Sequence, residues 1–264
     1  MPPIGNWRDT FFTTPIANWR HVFSQRQLPI GDTFFTTPIA NWRHIYFCKM
    51  TTKKIGLLFN GVWSQYAFAK ATKYRDIYEL LYIHDLTAEI LRGVDALAIP
   101  FQSNQKAISS KKDLIYGFLA DGKKVFVEGD SSTDWLDATW EDRPVNNYWW
   151  VKDPLNPPVS ETDFSHPIYD GLKPRHACWH YHGAYTRVPE HARIVQKTPQ
   201  NEVVTWQTER YGGSLLATTL DPIVEHGVQQ ITHLDNYCDK LTEWLIGVKP
   251  EGKFEILKAD YVAI

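Results

Sequence analysis

Acidic and small residues follow a short apolar run near the middle of the chain. Val125-Phe126-Val127 leads into Glu128-Gly129-Asp130-Ser131, the pattern of a buried strand that ends in a tight polar turn. A carboxylate at such a turn can act as a general base, and the backbone amides after Gly129 can form an oxyanion hole. The alternative is that Asp130 and Ser131 merely cap the following segment. We predict Asp130 and Glu128 as catalytic residues, and Gly129 and Ser131 as ligand-binding residues.

Two histidines have a spacing that suits them to work with these carboxylates. His180 and His182 are two positions apart, so a strand would direct both rings to one face. We predict both as catalytic residues, one of them as the general acid. With His226 and a carboxylate they also match the nitrogen and oxygen ligands of zinc or iron. The chemistry needs no cofactor, and a divalent metal held by His180, His182 and His226 is the alternative. With ten histidines in the chain, ordinary surface or core roles also remain open.

Further polar side chains follow two other predicted strands. Asn60 comes after one apolar run, and Gln102 and Ser103 come after another. Ligands of open α/β sheets bind beyond the carboxyl ends of the strands, so these residues should face the same edge as Asp130. We predict that Asn60, Gln102 and Ser103 bind hydroxyl groups of a polar ligand, although plain loop roles are equally compatible with the pattern.

Strand and helix patterns alternate in the first half of the chain after residue 50. Apolar runs predict strands at 54–60, 94–100 and 125–127, and the run at 77–83 fits a second strand or a helix. Between them, helical spacing and capping residues predict helices at 64–74 and 85–93, and a third that begins at Ser109 or Ser110. This order predicts an α/β fold with a parallel sheet flanked by helices.

The second half is richer in strand patterns. Residues 134–160 predict an ordered loop whose tryptophans either line a ligand pocket or pack the loop on the sheet. Strands are predicted at 177–185, 192–197, 203–208 and 214–219, with Gly212-Gly213 as the hairpin turn between the last two. A closing helix spans 234–246, and residues 250–264 form a C-terminal tail.

The first 49 residues contain an internal repeat. Asp9–His21 recurs without change as Asp32–His44. In addition, Arg26–Asp32 and Thr37–Arg43 can be encoded by one DNA string in two reading frames. We therefore interpret residues 1–49 as a disordered extension translated from repetitive DNA, with Met50 as the true start. A genuine aromatic arm that adds strands to a partner sheet is the alternative.

Composition limits the possible partners. The net charge is −2, so no basic field favours nucleic acid or an anionic membrane surface. No apolar run approaches the length of a membrane span. Three scattered cysteines fit a reducing cytoplasm rather than a disulfide framework. We expect a cytoplasmic protein that binds neither nucleic acid nor membrane and that can form a homo-oligomer.

Four stretches together resemble a known family. They are Asp85–Leu91 with Val94–Pro100, Gly122–Gly129, Ser165–Leu172 and Val203–Pro222. In this order they resemble the class I glutamine amidotransferase-like fold, and within it the ThuA-like (trehalose utilisation) group. The resemblance implies a flavodoxin-like parallel sheet with a β-rich C-terminal half, formed by residues 50–249.

The resemblance also shows where this chain departs from the family. Glutamine amidotransferases of this class carry a cysteine in a Gly-x-Cys-x-Gly turn after the strand that corresponds to 125–127. Here the turn has Asp130 in the middle, and neither Cys178 nor Cys238 falls at such a turn. Glutamine hydrolysis needs that thiolate. We therefore expect a degenerate active site without glutaminase activity.

Two functions fit these observations. The first is a non-glutaminase member of the fold that binds a small polar metabolite or a protein partner. The second, implied by the resemblance, is a ThuA-like hydrolase or lyase that acts on a carbohydrate-derived substrate, with or without a metal.

Overall fold

The computed structural model describes residues 52–145, 147–153 and 157–256. The N-terminal repeat and residues 257–264 lie outside these ranges, so the interpretation of residues 1–49 stays a prediction. Strands and helices are numbered in chain order.

Five parallel strands form the centre of the sheet. They are β1 (Ile55–Phe59), β2 (Tyr78–Tyr82), β3 (Ala96–Ile99), β4 (Lys124–Glu128) and β10 (Ser214–Thr218). They lie side by side as β2-β1-β3-β4-β10. Both faces of β1, β3, β4 and β10 are buried, which explains their mostly apolar runs, whereas the edge strand β2 exposes Glu79 and Tyr82. The arrangement is the 2-1-3-4-5 order of flavodoxin-like sheets, and it confirms the predicted fold class.

Antiparallel strands extend the sheet beyond β10. β9 (Val203–Thr208) pairs with β10, and β7 (Gly183–Arg187) and β8 (Arg193–Lys197) both pair with β9. β5 (Thr139–Asp142) pairs with β7, and β6 (Glu161–Thr162) pairs with β8. The predicted β-rich C-terminal half is therefore confirmed as a continuation of the same sheet.

Helices cover both faces of the parallel strands. One face packs against α1 (Trp63–Lys70), α6 (Pro222–Gln229) and α7 (Thr232–Ile246). The other packs against α2 (Ala88–Arg92), α3 (Gln105–Ser109) and α4 (Lys112–Ala120). A further short helix, α5 (Trp149–Lys152), follows β5. None of the helices in the described part of the chain combines the length and hydropathy required to cross a bilayer.

A charged network joins α7 to the turn after α1. The ammonium of Lys73 lies 3.0 Å from a carboxylate oxygen of Asp235 and 2.6 Å from one of Asp239, and its side chain is only 4% exposed. Tyr74 donates a hydrogen bond of 2.8 Å to Asp239. A buried lysine is tolerated here because two carboxylates compensate its charge.

Three local expectations were wrong. Neither Ser109 nor Ser110 starts a helix, because the Asn104 side chain caps α3 through the Ala107 amide and places both serines at its C-terminal end. The strand predicted from residue 177 begins only at Gly183. A 3₁₀ turn at Pro174–His176 precedes it, and Tyr181 forms only an isolated bridge with Leu220. The tryptophan-rich loop contains β5 and α5.

Candidate active site

The turn after β4 lies against the loop after β3. Gly129 has a φ of +79°, and its amide lies within hydrogen-bonding distance of the carbonyl oxygens of Thr218 (3.0 Å) and Leu220 (2.9 Å). A Cβ atom at this position would lie 2.3 Å from Cδ2 of Phe101. Only glycine allows both this backbone conformation and this close approach. The two loops are thereby brought together at the carboxyl edge of the sheet.

Glu128 is buried directly beneath this turn. Its carboxylate accepts hydrogen bonds from the backbone amides of Phe101 (3.2 Å), Ile223 (3.0 Å) and Val224 (3.3 Å). Burial raises the pKa of Glu128 well above its usual range, against the opposing effect of these amides. The carboxylate thus ties β4 to the loop after β3 and to the first turn of α6. These bonds describe a positioning role for Glu128, whose catalytic role stays a prediction.

Asp130 and His182 are two titratable residues at this edge of the sheet. His182 stacks on Phe101, with ring centroids 4.3 Å apart and an angle of 20° between the rings. Its Nε2 lies 2.8 Å from Oδ2 of Asp221, which is buried. Asp130 is half-buried and close enough for its charge to act on His182. The arrangement is a histidine oriented by a buried carboxylate, and the charge of Asp130 acts on the same ring.

These neighbours alter the titration of the imidazole and of both carboxyl groups. Burial raises the pKa of Asp130, and the positive charge of His182 opposes that effect. Burial lowers the pKa of His182, but the hydrogen bond and charge of Asp221 outweigh it, so that the net pKa is raised. Burial also raises the pKa of Asp221. Perturbed pKa values of this kind cluster at functional sites.

The predicted ligand-binding residues divide into two groups. Asn60 Nδ2 donates a hydrogen bond of 3.3 Å to the carbonyl of Gln102, so these two residues and Gly129 share the edge. Gln102 has a φ of +64°, a strained conformation for a residue other than glycine. Ser103 is buried, and within the described ranges its hydroxyl has no hydrogen-bond partner. Ser131 instead turns its hydroxyl to that of Tyr185, 3.3 Å away.

His180 and His182 both contact residues of the α6 segment, but the side chain of His226, which lies on α6, is not near them. Nδ1 of His180 lies 3.6 Å from a carboxylate oxygen of Glu225, next to the Asp221 that holds His182. His226 is buried, with its ring stacked on Phe254 at a centroid distance of 3.7 Å. Adjacent residues of a helix point about 100° apart, so Glu225 reaches the site while His226 packs into the core. Described residues whose ligand atoms lie close enough to share a metal ion are His180, Asp221 and Glu225.

A series of aromatic rings packs against His180. Trp179 stacks on His180 with centroids 5.1 Å apart, and His233 of α7 meets Trp179 edge to face at 4.6 Å. His176 stacks on His233 in turn. Burial, together with the positive charges of Arg175, His176 and His226, lowers the pKa of His233 to about 4. Burial and these charges therefore keep His233 neutral near pH 7.

Burial disfavours the thiolate form of the two cysteines in the described chain. Cys178 and Cys238 are both buried, and burial raises the pKa of each thiol. Neither lies at the turn after β4. Cys48 falls outside the described residues.

Sequence reasoning missed Asp221, Glu225 and Phe101. The signal for the first two was present, because Asp-Pro is a common helix start and Asp221-Pro222 begins α6. A helix at that point places Asp221 just beyond the last parallel strand, at the same edge as Asp130. Phe101 carried no comparable signal, since its role depends on contacts with Gly129 and His182 that are distant in sequence.

Comparisons with known proteins concern the fold. No family profile matches the chain, and no curated protein matches it. Among solved structures, a protein of Thermoplasma acidophilum provisionally described as part of a GMP synthase is 14% identical, with a TM-score of 0.46, over 73% of this chain and 97% of that one. A protein of Bacteroides uniformis provisionally described as ThuA-like is 14% identical, with a TM-score of 0.46, over 76% and 94%. A cytoplasmic protein of Salmonella typhimurium is 10% identical, with a TM-score of 0.45, over 74% and 99%.

The strand order and the helices on both faces carry the assignment of the fold. The order β2-β1-β3-β4-β10, followed by antiparallel strands, is the arrangement that the sequence resemblance implies. The chain has a flavodoxin-like α/β fold with an antiparallel extension, as the resemblance to class I glutamine amidotransferase-like proteins implies.

Proposed function

We propose that this protein binds a small polar, hydroxylated ligand at the carboxyl edge of its sheet and performs acid–base chemistry on it, without glutaminase activity. A carbohydrate-derived compound is the substrate class. Asp130 and His182 are the acid–base pair, and Asp221 is the positioning residue that orients His182. The reaction is a hydrolysis or an elimination.

The 2.8 Å contact between His182 and Asp221 carries this proposal. A carboxylate accepts the proton of Nε2, which leaves Nδ1 of the same ring free to exchange a proton with a ligand. Phe101 fixes the plane of the ring. A histidine oriented in this way is a typical general acid or base.

The neighbouring polar groups favour a hydroxylated ligand. Asn60 Oδ1 and Ser103 Oγ have no hydrogen-bond partner within the described ranges, and each is buried. Buried polar atoms without partners cost free energy, which a ligand that supplies hydroxyl groups would recover. The edge also lies at the point between β1 and β3 where the strand order reverses, the usual ligand crevice of this sheet type.

The positions of the thiols do not suit glutaminase activity. The turn after β4 offers Asp130 where an amidotransferase needs a thiolate, and the described cysteines are buried elsewhere. We expect no release of glutamate from glutamine above the level of a heat-inactivated sample.

Ligand binding and turnover can be tested on the full-length chain. The melting temperature is measured against a panel of neutral sugars, sugar acids, keto sugars, nucleotides and amino acids, and any compound that stabilises the protein is then followed for chemical change. We expect a sugar-derived compound to stabilise the wild type. Asp130→Asn and His182→Ala should each abolish turnover. His191→Ala, which removes an exposed histidine with 90% of its side chain accessible, is the matched control.

The outcomes separate two functions. Stabilisation with turnover that is lost in both variants supports the enzyme. Stabilisation without turnover supports the second candidate, a binding protein, which is favoured by the fact that three amides already occupy the carboxylate of Glu128. Turnover that survives in both variants would contradict the assignment of the acid–base pair.

A further inference from the structure

We propose that His180, Asp221 and Glu225 form a binding site for one divalent transition-metal ion, with Zn²⁺ as the preferred cation. The site goes beyond the acid–base proposal, because neither Asp130 nor His182 is a ligand in it. It also differs from a set made of His180, His182 and His226.

The three side chains already converge. The ligand atoms of His180, Asp221 and Glu225 all lie within 4.8 Å of one another, and Nδ1 of His180 is 3.6 Å from Oε1 of Glu225. Ligand atoms on a tetrahedral zinc ion are about 3.4 Å apart when the bonds are about 2.1 Å long. Small side-chain rotations would therefore be enough to bring these three atoms around one ion.

One oxygen of the set is buried and has no partner. The Asp221 side chain is 1% exposed, and while Oδ2 contacts His182, Oδ1 has no hydrogen-bond partner within the described ranges. A buried carboxylate oxygen left in this way is unfavourable unless a donor or a cation satisfies it. A metal ion bound to Oδ1 would satisfy it without disturbing the contact to His182.

The two carboxylates of the site also favour the binding of a cation. Asp221 and Glu225 lie close together, and within the described ranges neither forms an ion pair with a lysine or an arginine. The amides of Ile223 and Val224 at the start of α6 are already bonded to Glu128, so they do not compensate these two carboxylates. A divalent cation would neutralise both.

The ligand set indicates the type of site and of metal. One imidazole nitrogen and two carboxylate oxygens suit zinc and similar borderline cations better than Ca²⁺ or Mg²⁺, which prefer oxygen ligands alone. Three protein ligands leave at least one position for water or substrate, which is typical of catalytic rather than structural metal sites. Trp179 stacks on the ring of His180 and restricts its rotation.

Zinc binding by the full-length chain tests the inference. The protein is freed of metal with a chelator, titrated with zinc chloride by calorimetry, and analysed for bound zinc after gel filtration. We expect one equivalent of high-affinity zinc. His180→Ala and Glu225→Gln should each weaken its binding at least about tenfold, while His182→Ala should keep the stoichiometry of the wild type.

Two controls make the result specific. His191→Ala breaks an exposed histidine–glutamate contact of 3.4 Å between His191 and Glu190, and it should leave zinc binding unchanged. Replacing His21 and His44 of the N-terminal repeat by alanine should also leave it unchanged. Circular dichroism of each variant separates loss of the site from loss of the fold, and Glu225→Gln, which keeps the side-chain size, is the variant that should remain folded.

Three results would overturn the inference. The first is that the wild type binds no zinc. The second is that folded His180→Ala and Glu225→Gln bind zinc as tightly as the wild type does. The third is that His182→Ala loses zinc whereas His180→Ala keeps it. Because the titration contains no organic ligand, its failure is distinguishable from a failure of the acid–base proposal.

Discussion

Replacement of Gly129 by alanine tests how closely the two loops of the site approach each other. Gly129 sits between β4 and the acid–base pair, with a φ of +79°. An added Cβ would lie 2.3 Å from Cδ2 and 2.7 Å from Cβ and Cγ of Phe101. Since Phe101 also donates its amide to Glu128 and stacks on His182, it cannot move without disturbing both.

Two costs add up at this position. A residue other than glycine in the left-handed region costs about 1–2 kcal/mol. Forcing an extra carbon into a packed region costs about 1–3 kcal/mol more. We therefore expect Gly129→Ala to lower the free energy of unfolding by about 2–5 kcal/mol.

Gly122→Ala provides the matched control. Gly122 has a φ of +76°, but a Cβ there would meet no atom within 4 Å. It should bear only the conformational cost of about 1–2 kcal/mol. Urea unfolding, followed by circular dichroism, measures both variants against the wild type. The two variants differ by the packing cost of about 1–3 kcal/mol, so with a slope of about 2–3 kcal/mol/M the midpoint of Gly129→Ala should lie roughly 0.3–1.5 M below that of Gly122→Ala.

Equal midpoints for the two variants would refute this reasoning. They would mean that Phe101 does not pack against Gly129, and that the loops after β3 and β4 are not in contact. A larger loss in Gly129→Ala together with unchanged ligand binding would instead show that the contact stabilises the fold but does not shape the site.

Three further predictions concern the surrounding structure. Glu128→Gln should lower the free energy of unfolding by about 1–3 kcal/mol in urea unfolding, because an amide NH₂ replaces an oxygen that accepts from a backbone amide. No loss of stability would contradict the positioning role of Glu128. Lys73→Met leaves Asp235 and Asp239 without their cation and should cost about 2–4 kcal/mol by the same measurement, whereas Lys106→Met on the exposed surface should cost under about 0.5 kcal/mol. The pKa of His233 falls from 6.5 to about 4 on folding, so its contribution to stability is complete above pH 6.5 and is lost as the pH falls toward 4. Partial exposure limits that contribution to about 1–3 kcal/mol. A His233→Phe variant should therefore lose less stability between pH 7 and pH 5 than the wild type. An equal loss in the two proteins would contradict the lowered pKa of His233.

The parallel half of the sheet was predictable because its signals are local. A strand buried on both faces must be apolar along its whole length, so β1, β3 and β4 appear in the sequence as short runs that end at Gly61, Pro100 and Gly129. The polar residues that follow these runs are necessarily at one edge, because parallel strands share their direction. Asn60, Gln102 and Gly129 were therefore placed together correctly.

The histidine chemistry was less predictable because it depends on contacts between distant segments. His180 and His182 are not on a regular strand, yet both reach α6, since the isolated bridge from Tyr181 to Leu220 holds their segment beside β10. No local pattern reveals that bridge. His226 shows the opposite case, in which a residue next to a site residue in sequence turns into the core because it lies on a helix.

The central claim, that Asp221 orients His182 for proton transfer, is tested most directly by the tautomer of His182. A two-bond ¹H–¹⁵N spectrum of the full-length protein at pH 9, with the ring assigned by comparison with His182→Ala, shows which nitrogen carries the proton. Donation to Asp221 predicts that Nε2 is protonated and Nδ1 is free, and that Asp221→Asn changes this signal. A ring with its proton on Nδ1, or a signal that is identical in Asp221→Asn, would contradict the account.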